Sequence, residues 1–260
     1  MSEHTHGAII RDRYRPAEFD AERYSPDNLS FWTPIIVRLG RVQHDHEVLD
    51  LGCATGGLTC AVAESSGAHL VGCDLSRTLL DYGRRVRGRT SIPMVCSNGE
   101  HLPFGRRYFD CVIASLVLHQ VRDRQRVLVE ISRALRPAGL LLIRTVTPET
   151  AKRWIPDLFP SIAQAQAARM PSIPELTDAL TRAGFSEIET TTIVREKRLQ
   201  PEQVERSLRR DIADRYPFLD DDELARGLKR MREHWTTRRD DYVDERTFSI
   251  LTASKRHGPQ

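Results

Sequence analysis

The stretch Val48-Leu-Asp-Leu-Gly-Cys-Ala-Thr-Gly-Gly-Leu-Thr59 decides the fold. Its apolar start is typical of a buried strand, and the glycine-rich turn that begins at Gly52 leads directly into a helical pattern of apolar residues. Glycines allow positive φ angles in such a turn, and they let a ligand approach the backbone where a Cβ atom would clash. The start of the helix presents unpaired N–H groups and the positive end of its dipole, which suits a carboxylate or a phosphate. The stretch therefore predicts a strand, a ligand-binding turn and a helix.

An acidic residue at the end of the next predicted strand indicates which ligand the turn accepts. The run from His69 to Asp74 is typical of a strand, and Asp74 comes 24 residues after Asp50. A carboxylate at that position can accept hydrogen bonds from both ribose hydroxyls of an adenosine. The turn has the spacing G-x-x-x-G-G instead of the G-x-G-x-x-G of a dinucleotide site, which argues against a nicotinamide dehydrogenase. The alternative is an ordinary strand-to-helix turn that binds nothing.

Strand and helix patterns alternate from residue 47 to residue 146. The predicted strands are 47–51, 68–74, 93–96, 109–115 and 139–146, and the predicted helices between them are 57–65, 76–87 and 124–135. Such alternation implies a parallel sheet with right-handed crossovers that binds ligands at the carboxyl ends of its strands. A helix at 172–183 and strands at 185–194 and 247–254 complete the pattern. The predicted fold class is α/β, a doubly wound Rossmann-like sheet of seven mostly parallel strands with helical lid insertions. Upstream, an amphipathic helix is predicted at 29–39, with Pro34 in its first turn.

Several motifs in a fixed order resemble one protein family. They are VLDLGCATGG at 48–57, VGCDLS at 71–76, SNGEHLPF at 97–104, YFDCVIAS at 108–115, VLHQV at 117–121 and EISRALRPAG at 130–139. Over residues 47–146 the chain resembles the class I S-adenosylmethionine (SAM)-dependent methyltransferases, and within them the small-molecule, methyltransferase domain 11-like branch. The resemblance implies S-adenosyl-L-methionine as the cofactor.

The same resemblance implies which residues bind SAM. Asp50, Gly52 and Gly56 would hold the methionine part, and Asp74 would hold the ribose. The other cofactor-binding candidates are Cys53 and Ala54 in the turn, Leu75 at the adenine face, Asn98, Gly99 and Glu100 near the adenine edge, and Ser115 at the methionine end. Two of these depart from the family, which often has glycine in place of Ala54 and aspartate in place of Asn98. Alanine should narrow the turn slightly, and asparagine is a neutral, weaker acceptor for an adenine amino group.

Three residues are candidates for contact with the reacting groups. His119 follows the fourth predicted strand, and its pKa range suits a general base for a phenol or an amine. The segment from Phe19 to Tyr24 resembles the family's N-terminal segment that folds over the cofactor, so Tyr24 and Tyr14 are also candidates. The alternative for each of the three is packing, capping or a surface position. Displacement at a sulfonium needs mainly correct positioning and exclusion of water, so catalytic side chains leave a faint signal in the sequence.

Composition narrows the choice of partners. Hydrophobic residues make up 40% of the chain, charged residues make up 29%, and the net charge is +3, which gives no reason to expect a nucleic-acid or membrane partner. No apolar run approaches the ~18 residues of a membrane span, and the N-terminus has no apolar core of signal-peptide length. The five cysteines form no C-x-x-C pair and are expected to be buried, reduced thiols, which favours a cytoplasmic location. The histidines have no ligand-like neighbours, so no metal site is expected.

The pattern predicts an organisation into six segments. These are an N-terminal lid or arm at 1–43, a SAM-binding core at 44–146, a lid insertion at 147–171, a continuation of the core at 172–200, a helical lid insertion at 201–243, and the last core strand and tail at 244–260. The arm and the two insertions are expected to cover the acceptor pocket, since long connections in a compact domain are usually functional or disordered. Their aromatic residues favour a small apolar or aromatic acceptor. A monomer or a homodimer is expected.

The predicted function is transfer of a methyl group from SAM to an oxygen, nitrogen or carbon atom of a small metabolite by direct in-line displacement. A nucleic-acid or protein methyltransferase is an alternative. It is weaker because Ala114-Ser-Leu-Val117 stands where an enzyme that methylates amino groups would carry Asp/Asn-Pro-Pro followed by an aromatic residue, and because the chain has no basic extension. A SAM-binding protein that transfers no methyl group, acting as a regulator or as a scaffold for cyclisation, is a further alternative.

Overall fold

A computed structural model of the protein describes residues 15–88, 92–148, 150, 158–167, 170–199, 205, 219–237 and 242–256. The chain divides into two compact units. The first unit comprises Met1–Thr145, Ile173–Thr191 and Ile250–Gln260, and the second comprises Val146–Ser172 and Thr192–Ser249.

Seven strands form one sheet in the order β3-β2-β1-β4-β5-β7-β6. They are β1 (Glu47–Leu51), β2 (His69–Asp74), β3 (Met94–Cys96), β4 (Phe109–Ser115), β5 (Leu135–Thr145), β6 (Phe185–Leu199) and β7 (Tyr242–Lys255). β1 pairs in parallel with both β2 and β4, and the pairs β2–β3 and β4–β5 are parallel as well. The strand order reverses at β1, and such a reversal creates a crevice at the carboxyl ends of the strands. The predicted α/β class with a doubly wound, mostly parallel sheet of seven strands is confirmed.

Eight helices are described. They are α1 (Pro16–Arg23), α2 (Pro26–Leu39), α3 (Gly57–Ser66), α4 (Arg77–Val86), α5 (Arg124–Ala134), α6 (Pro160–Ala167), α7 (Ile173–Arg182) and α8 (Asp221–Thr237). The prediction that Pro34 occupies a first turn is wrong. Ser25 caps α2 by accepting a hydrogen bond from the Asn28 N–H at 3.3 Å, and Pro26 provides the first helical residue. Pro34 therefore lies inside the helix.

The core of the first unit is built on β4 and β5. Residues 111–114 and 139–145 are all buried, as expected for strands covered on both faces. Leu128 and Ile131 of α5 and Leu180 of α7 belong to the same buried cluster. A close-packed interior resists small displacements. The buried strands therefore restrict the movement of the residues that follow their carboxyl ends.

Within the second unit, α6 and α8 are joined by a buried carboxylate. Glu223 accepts hydrogen bonds from the Ser161 N–H at 2.9 Å and from the Ser161 hydroxyl at 2.6 Å. The fully buried Phe159 ring lies against Gly227, where an added Cβ atom would come within 2.1 Å of the ring. Parts of the predicted insertions, among them Trp154 and Phe218, lie outside the described residues. The predicted lid stays a prediction.

The thiols differ from the expectation at one position. All five cysteines are free, and Cys53, Cys60, Cys73 and Cys111 are buried, but Cys96 is exposed. The reason is its place in the sheet, since Cys96 ends β3, a strand of only three residues at the edge. In the part of the chain that the structure describes, no helix is both long enough and apolar enough to cross a membrane.

Candidate functional site

A cleft opens in the first unit where β1, β2 and β4 end. The register places Leu51 beside both Cys73 and Ala114, so the residues that follow these three positions meet at one edge of the sheet. Six of the predicted site residues line this cleft: Tyr24, Asp50, Gly52, Ala54, Asp74 and Ser115. The strand ends thus gather residues from three separate motifs.

The turn after β1 depends on positive φ angles. Gly52 has φ +77°, Ala54 has φ +51° and Gly56 has φ +77°. A Cβ atom at Gly52 would lie 2.6 Å from the Val117 side chain, so only glycine fits there without a shift of its neighbour. Ala54 adopts the left-handed region despite its Cβ atom, which costs about 1–2 kcal/mol. Ala54 stands where the family often has glycine, and its effect is backbone strain. From the sequence, we expected instead a slightly narrower turn.

Asp74 holds this turn in place. Its Oδ2 accepts a hydrogen bond from the Ala54 N–H at 2.9 Å, and its Oδ1 accepts one from the Ser76 N–H at 2.8 Å. The carboxylate is therefore fixed between the turn and the start of α4. A carboxylate oxygen can accept more than one hydrogen bond, so these backbone donors are compatible with hydroxyl donors from a ligand.

Asp50 is a buried acid at the floor of the cleft. Its side chain accepts a hydrogen bond from the Thr59 hydroxyl at 2.6 Å, and the residue is only 2% exposed. Burial raises the pKa of Asp50 to about 6, and the negative charge of Asp74 adds to the shift, while the Thr59 hydrogen bond and the positive charge of Arg144 oppose it. A cationic group bound in the cleft would favour the ionised form of Asp50.

Tyr24 lies over the glycine turn from α1. Its hydroxyl donates a hydrogen bond to the Cys53 carbonyl at 3.1 Å, and its ring lies where a Cβ atom on Gly57 would be, 2.3 Å from the Tyr24 Cγ. Burial, chiefly, raises the pKa of Tyr24 far above its usual value, so the hydroxyl stays protonated and acts as a donor. Tyr14, the other predicted tyrosine, lies outside the described residues.

An ion pair fastens α1 to the rest of the site. Asp20 of α1 accepts a hydrogen bond from the Arg87 guanidinium at 2.6 Å and another from the Thr55 hydroxyl. The Arg87 Cζ atom also lies 5.7 Å from the centroid of the Tyr24 ring. We call Asp20, Thr55 and Arg87 the α1 latch, because they join α1 to the turn and to the end of α4.

The remaining predicted residues do not line the cleft. Cys53 and Gly56 are buried in the turn itself. His119 is half-buried in the turn after β4, where Val117 and Gln120 line the cleft and His119 does not. The same holds for the four residues expected near the adenine: Leu75, Asn98, Gly99 and Glu100.

Two of those four residues accept hydrogen bonds from backbone N–H groups of the protein. The Asn98 side-chain oxygen accepts a hydrogen bond from the Glu100 N–H at 3.1 Å. The Glu100 carboxylate accepts one from the Asp123 N–H at 3.2 Å. Asn98 therefore orders the loop between β3 and β4, and Glu100 joins that loop to the start of α5. Their contact with an adenine stays a prediction.

Arg144 is a site residue that the sequence reasoning missed. It ends the apolar part of β5, is only 5% exposed and lines the cleft. Its Cζ atom lies 4.2 Å from the centroid of the Trp32 ring. A signal was available, because a single arginine directly after Leu-Leu-Leu-Ile at the carboxyl end of a buried strand is unusual.

The residues of the cleft fit an adenosyl cofactor that ends in an amino acid. The Asp74 carboxylate can accept hydrogen bonds from hydroxyl groups, and the buried Asp50 carboxylate can pair with an ammonium group. Ser115 adds a buried hydroxyl oxygen that has no hydrogen-bond partner within the described residues. Buried polar atoms are normally paired, so Ser115 marks a position where a ligand atom would complete the site.

Comparisons with known proteins agree with this geometry. Residues 49–143 match the family described as "Methyltransferase domain". A ubiquinone/menaquinone biosynthesis C-methyltransferase of Vibrio cholerae is 32% identical over 118 residues, which cover 43% of this chain and 45% of that protein. A demethylmenaquinone methyltransferase of Geobacillus stearothermophilus is 28% identical over 187 residues, which cover 61% of this chain and 78% of that protein. The alignment with the Vibrio protein thus spans less than half of that relative's length.

A solved structure shares the fold. The cyclase SpnF superimposes with a TM-score of 0.58 at 22% identity, over 88% of this chain and 81% of that one. At that identity the likeness is one of fold alone. Residues 49–143 are thus similar to the methyltransferase domain family, and the cofactor that this similarity implies is S-adenosyl-L-methionine.

Proposed function

We propose that this protein transfers the methyl group of SAM to a small-molecule acceptor by direct in-line displacement. The observation that carries the proposal is the convergence of the glycine turn, Asp74 and Ser115 on one cleft at the switch point of the sheet. When bound, SAM supplies an electrophilic methyl group on a sulfonium. The family match over residues 49–143 supports the same chemistry.

The chain's own residues would bind and orient the cofactor. Asp74 would accept the ribose hydroxyls from its fixed position beside the turn. Asp50 would pair with the ammonium of the methionine part, and the turn from Gly52 to Gly56 would accommodate its chain. Leu75 and the loop with Asn98, Gly99 and Glu100 would contact the adenine. Tyr24, held over the turn by its bond to the Cys53 carbonyl, would exclude water from this end of the cleft.

Positioning would supply most of the rate enhancement. An in-line displacement needs the nucleophile about 3–3.5 Å from the methyl carbon, and correct positioning lowers the barrier without a covalent intermediate. The protonated Tyr24 hydroxyl is suited to donate a hydrogen bond but not to remove a proton. A general base at His119 stays a prediction, which an unchanged turnover of His119→Ala would overturn.

A ring carbon of a reduced quinone is the first acceptor class to test. One curated relative is named as a C-methyltransferase of ubiquinone and menaquinone biosynthesis, and the other as a demethylmenaquinone methyltransferase. Apolar side chains of Phe19, Leu116 and Val117 line the same cleft as Ser115 and would suit a flat apolar ring. The predicted apolar or aromatic nature of the acceptor agrees with both points.

The test is a transfer assay with the full chain and methyl-labelled SAM. The panel contains demethylmenaquinone in its reduced form, simple phenols, indoles and amines. We expect label in one class of product, with one S-adenosylhomocysteine (SAH) formed per methyl group transferred, and we expect Asp74→Asn to reduce the rate at subsaturating SAM. Binding of SAM without transfer to any acceptor of the panel would favour the non-methylating alternative.

The alternatives have less support. The likeness to the cyclase SpnF is one of fold alone, so no site observation favours cyclisation. A nucleic-acid acceptor would require salt-dependent retention on DNA or RNA, and the net charge of +3 gives no reason to expect it. The oligomeric state and the cytoplasmic location stay predictions.

A further inference from the structure

The β4–β5 pairing fixes Arg144 beside Ser115. The two residues are register partners in the parallel ladder, and the Leu116 N–H donates a hydrogen bond to the Arg144 carbonyl at 2.7 Å. Both side chains line the same cleft. The sheet therefore presents a guanidinium and a hydroxyl next to each other at the end of the cleft that faces Asp50.

The guanidinium is held in this position by an aromatic face. Arg144 lies over the ring of Trp32 on α2, with 4.2 Å between its Cζ atom and the ring centroid, and both residues are 5% exposed. A cation over the face of a tryptophan is attracted by the ring's quadrupole. Trp32 thus restricts where Arg144 can reach, and it keeps the positive charge within the protein rather than in solvent.

The charges around this end of the cleft match a ligand with charges of both signs. Asp50 is a buried acid, and the positive charge of Arg144 acts on the pKa values of both Asp50 and Tyr24 in the lowering direction. A cationic group would be drawn to Asp50, and an anionic group to Arg144. The Ser115 hydroxyl, buried and without a partner within the described residues, can donate a further hydrogen bond to the same anionic group.

We propose that Arg144 and Ser115 form a subsite for an anionic oxygen group of the molecule bound in the cleft. The planar fork of a guanidinium matches an oxyanion with two N–H donors, which an ammonium cannot do. Two sources can supply this group, namely the amino-acid carboxylate of the cofactor and an ionised hydroxyl of the acceptor. The inference rests on the proposed function, since both sources belong to it.

Calorimetric titration with two ligands distinguishes these sources. SAH carries the amino-acid carboxylate, and 5′-methylthioadenosine (MTA) is the same molecule without the amino-acid part. If Arg144 binds the cofactor's carboxylate, Arg144→Gln weakens SAH binding at least about tenfold and leaves MTA binding within about twofold, and Arg144→Lys lies between Arg144→Gln and the wild type. Ser115→Ala shows the same selectivity with a smaller loss. Arg38→Gln, an exposed arginine on the helix that carries Trp32, is the matched control and leaves both affinities unchanged.

If the acceptor supplies the anionic oxygen, a different pattern is expected. Both SAH and MTA then bind Arg144→Gln as they bind the wild type, while the KM for the acceptor rises at least about tenfold and the pH profile of kcat/KM moves to higher pH, because the acceptor hydroxyl loses a cation that favours its ionised form.

Two results separate failure of the subsite from failure of the proposed function. Unchanged SAH affinity, MTA affinity, acceptor KM and pH profile in both Arg144 variants would overturn the subsite alone. A wild-type protein that binds neither SAH nor MTA would overturn the proposed function. MTA binding also reports whether each variant is folded, and if Arg144→Gln fails that check, Arg144→Lys carries the same test.

Discussion

Backbone conformation sets the positions of key residues in the first unit of the molecule, whereas side-chain packing sets them in the second. In the first unit, positive φ angles at Gly52, Ala54 and Gly56 and the bond from the Ala54 N–H to Asp74 set the shape of the cleft. In the second unit, side chains distant in sequence pack on each other, as Phe159 does on Gly227. A site fixed by backbone conformation requires particular residues at short spacing, whereas a contact fixed by packing accepts many combinations. The conformation of the glycine turn is therefore encoded in a short sequence motif, whereas the packing of the second unit is not.

Among the changes that test this comparison, Asp74→Asn should have the largest effect, which is a loss of SAH affinity. The change replaces a carboxylate that accepts two backbone N–H bonds with an amide that can face one of those donors with its own NH₂ group. Because bonds to charged groups contribute about 1.5–3 kcal/mol each, we expect SAH affinity to fall about 100-fold. Calorimetry measures the change. The control is Asp81→Asn, an exposed aspartate on α4, and equal affinities for the two variants would contradict the role of Asp74.

Alanine at Gly52 tests whether the turn depends on its backbone. The position has φ +77°, and the added Cβ atom would meet the stiff side chain of Val117, so we expect a loss of about 3 kcal/mol in the free energy of unfolding. Urea denaturation provides the measurement. Gly88→Ala has a positive φ but no atom within 4 Å and should lose only about 1–2 kcal/mol, while Gly105→Ala, in open space, should lose none.

The matching change in the second unit is Gly227→Ala. It places a Cβ atom within 2.1 Å of the Phe159 ring without a positive φ. We expect a loss of about 1–3 kcal/mol in the free energy of unfolding from overpacking, partly offset by the better helix propensity of alanine, and no change in SAH affinity.

Equal losses of stability for Gly52→Ala and Gly88→Ala would mean that Val117 moves aside and that packing at the turn is looser than its geometry implies.

The same difference explains what the sequence could predict. The bounds of β1 and β4 and the meeting of Asp50, Gly52, Asp74 and Ser115 at one edge followed from strand patterns and from the rule for parallel sheets. Those inferences need only local patterns and one topological rule.

The features that the sequence did not predict depend on residues that are distant in the sequence. Arg144 on β5 is held in place by Trp32 on α2, and no spacing rule links these two residues. Cys96 is exposed only because its strand lies at the edge of the sheet. Pro34 was misplaced because Ser25, further upstream, provides the cap of α2. The identity of the acceptor falls in the same class, since it depends on side chains brought together by packing.

The pH dependence of SAH binding tests the electrostatics of the cleft. Burial raises the pKa of Asp50 from 3.8 to about 6, so below about pH 6 most of the free protein holds a proton there that an ammonium must displace. We expect SAH affinity to rise up to about tenfold per pH unit below pH 6 and to level off above it. Calorimetry between pH 5 and pH 8 provides the measurement.

The variant Asp50→Asn is the control for this titration, because it removes the ionisable group and keeps an oxygen that can accept from Thr59. It should show a flat pH profile. The unliganded wild type should also lose stability as the pH rises through the interval between 3.8 and 6, since the folded state holds the proton more tightly than the unfolded state. A wild-type affinity that does not change between pH 5 and pH 7 would contradict the raised pKa.

The ion pair of the α1 latch gives the smallest expected effect, because Asp20 and Arg87 lie beside the turn and are not part of it. Arg87→Gln removes the positive charge from the ion pair with Asp20. The Asp20 side chain is 20% exposed and the Arg87 side chain 15% exposed. The change weakens the contact that keeps α1 and Tyr24 over the turn. We expect SAH to dissociate about fivefold faster in stopped-flow experiments with little change in its association rate, since partly buried pairs contribute more than exposed ones. Arg85→Gln, an exposed arginine on α4, is the matched control. A double variant with Asp20→Asn should release SAH no faster than Arg87→Gln alone, because both changes break the same ion pair and the asparagine oxygen can still accept from the Thr55 hydroxyl. Additive effects of the two changes would show that Asp20 and Arg87 act on the turn independently, and the latch would then be two separate contacts.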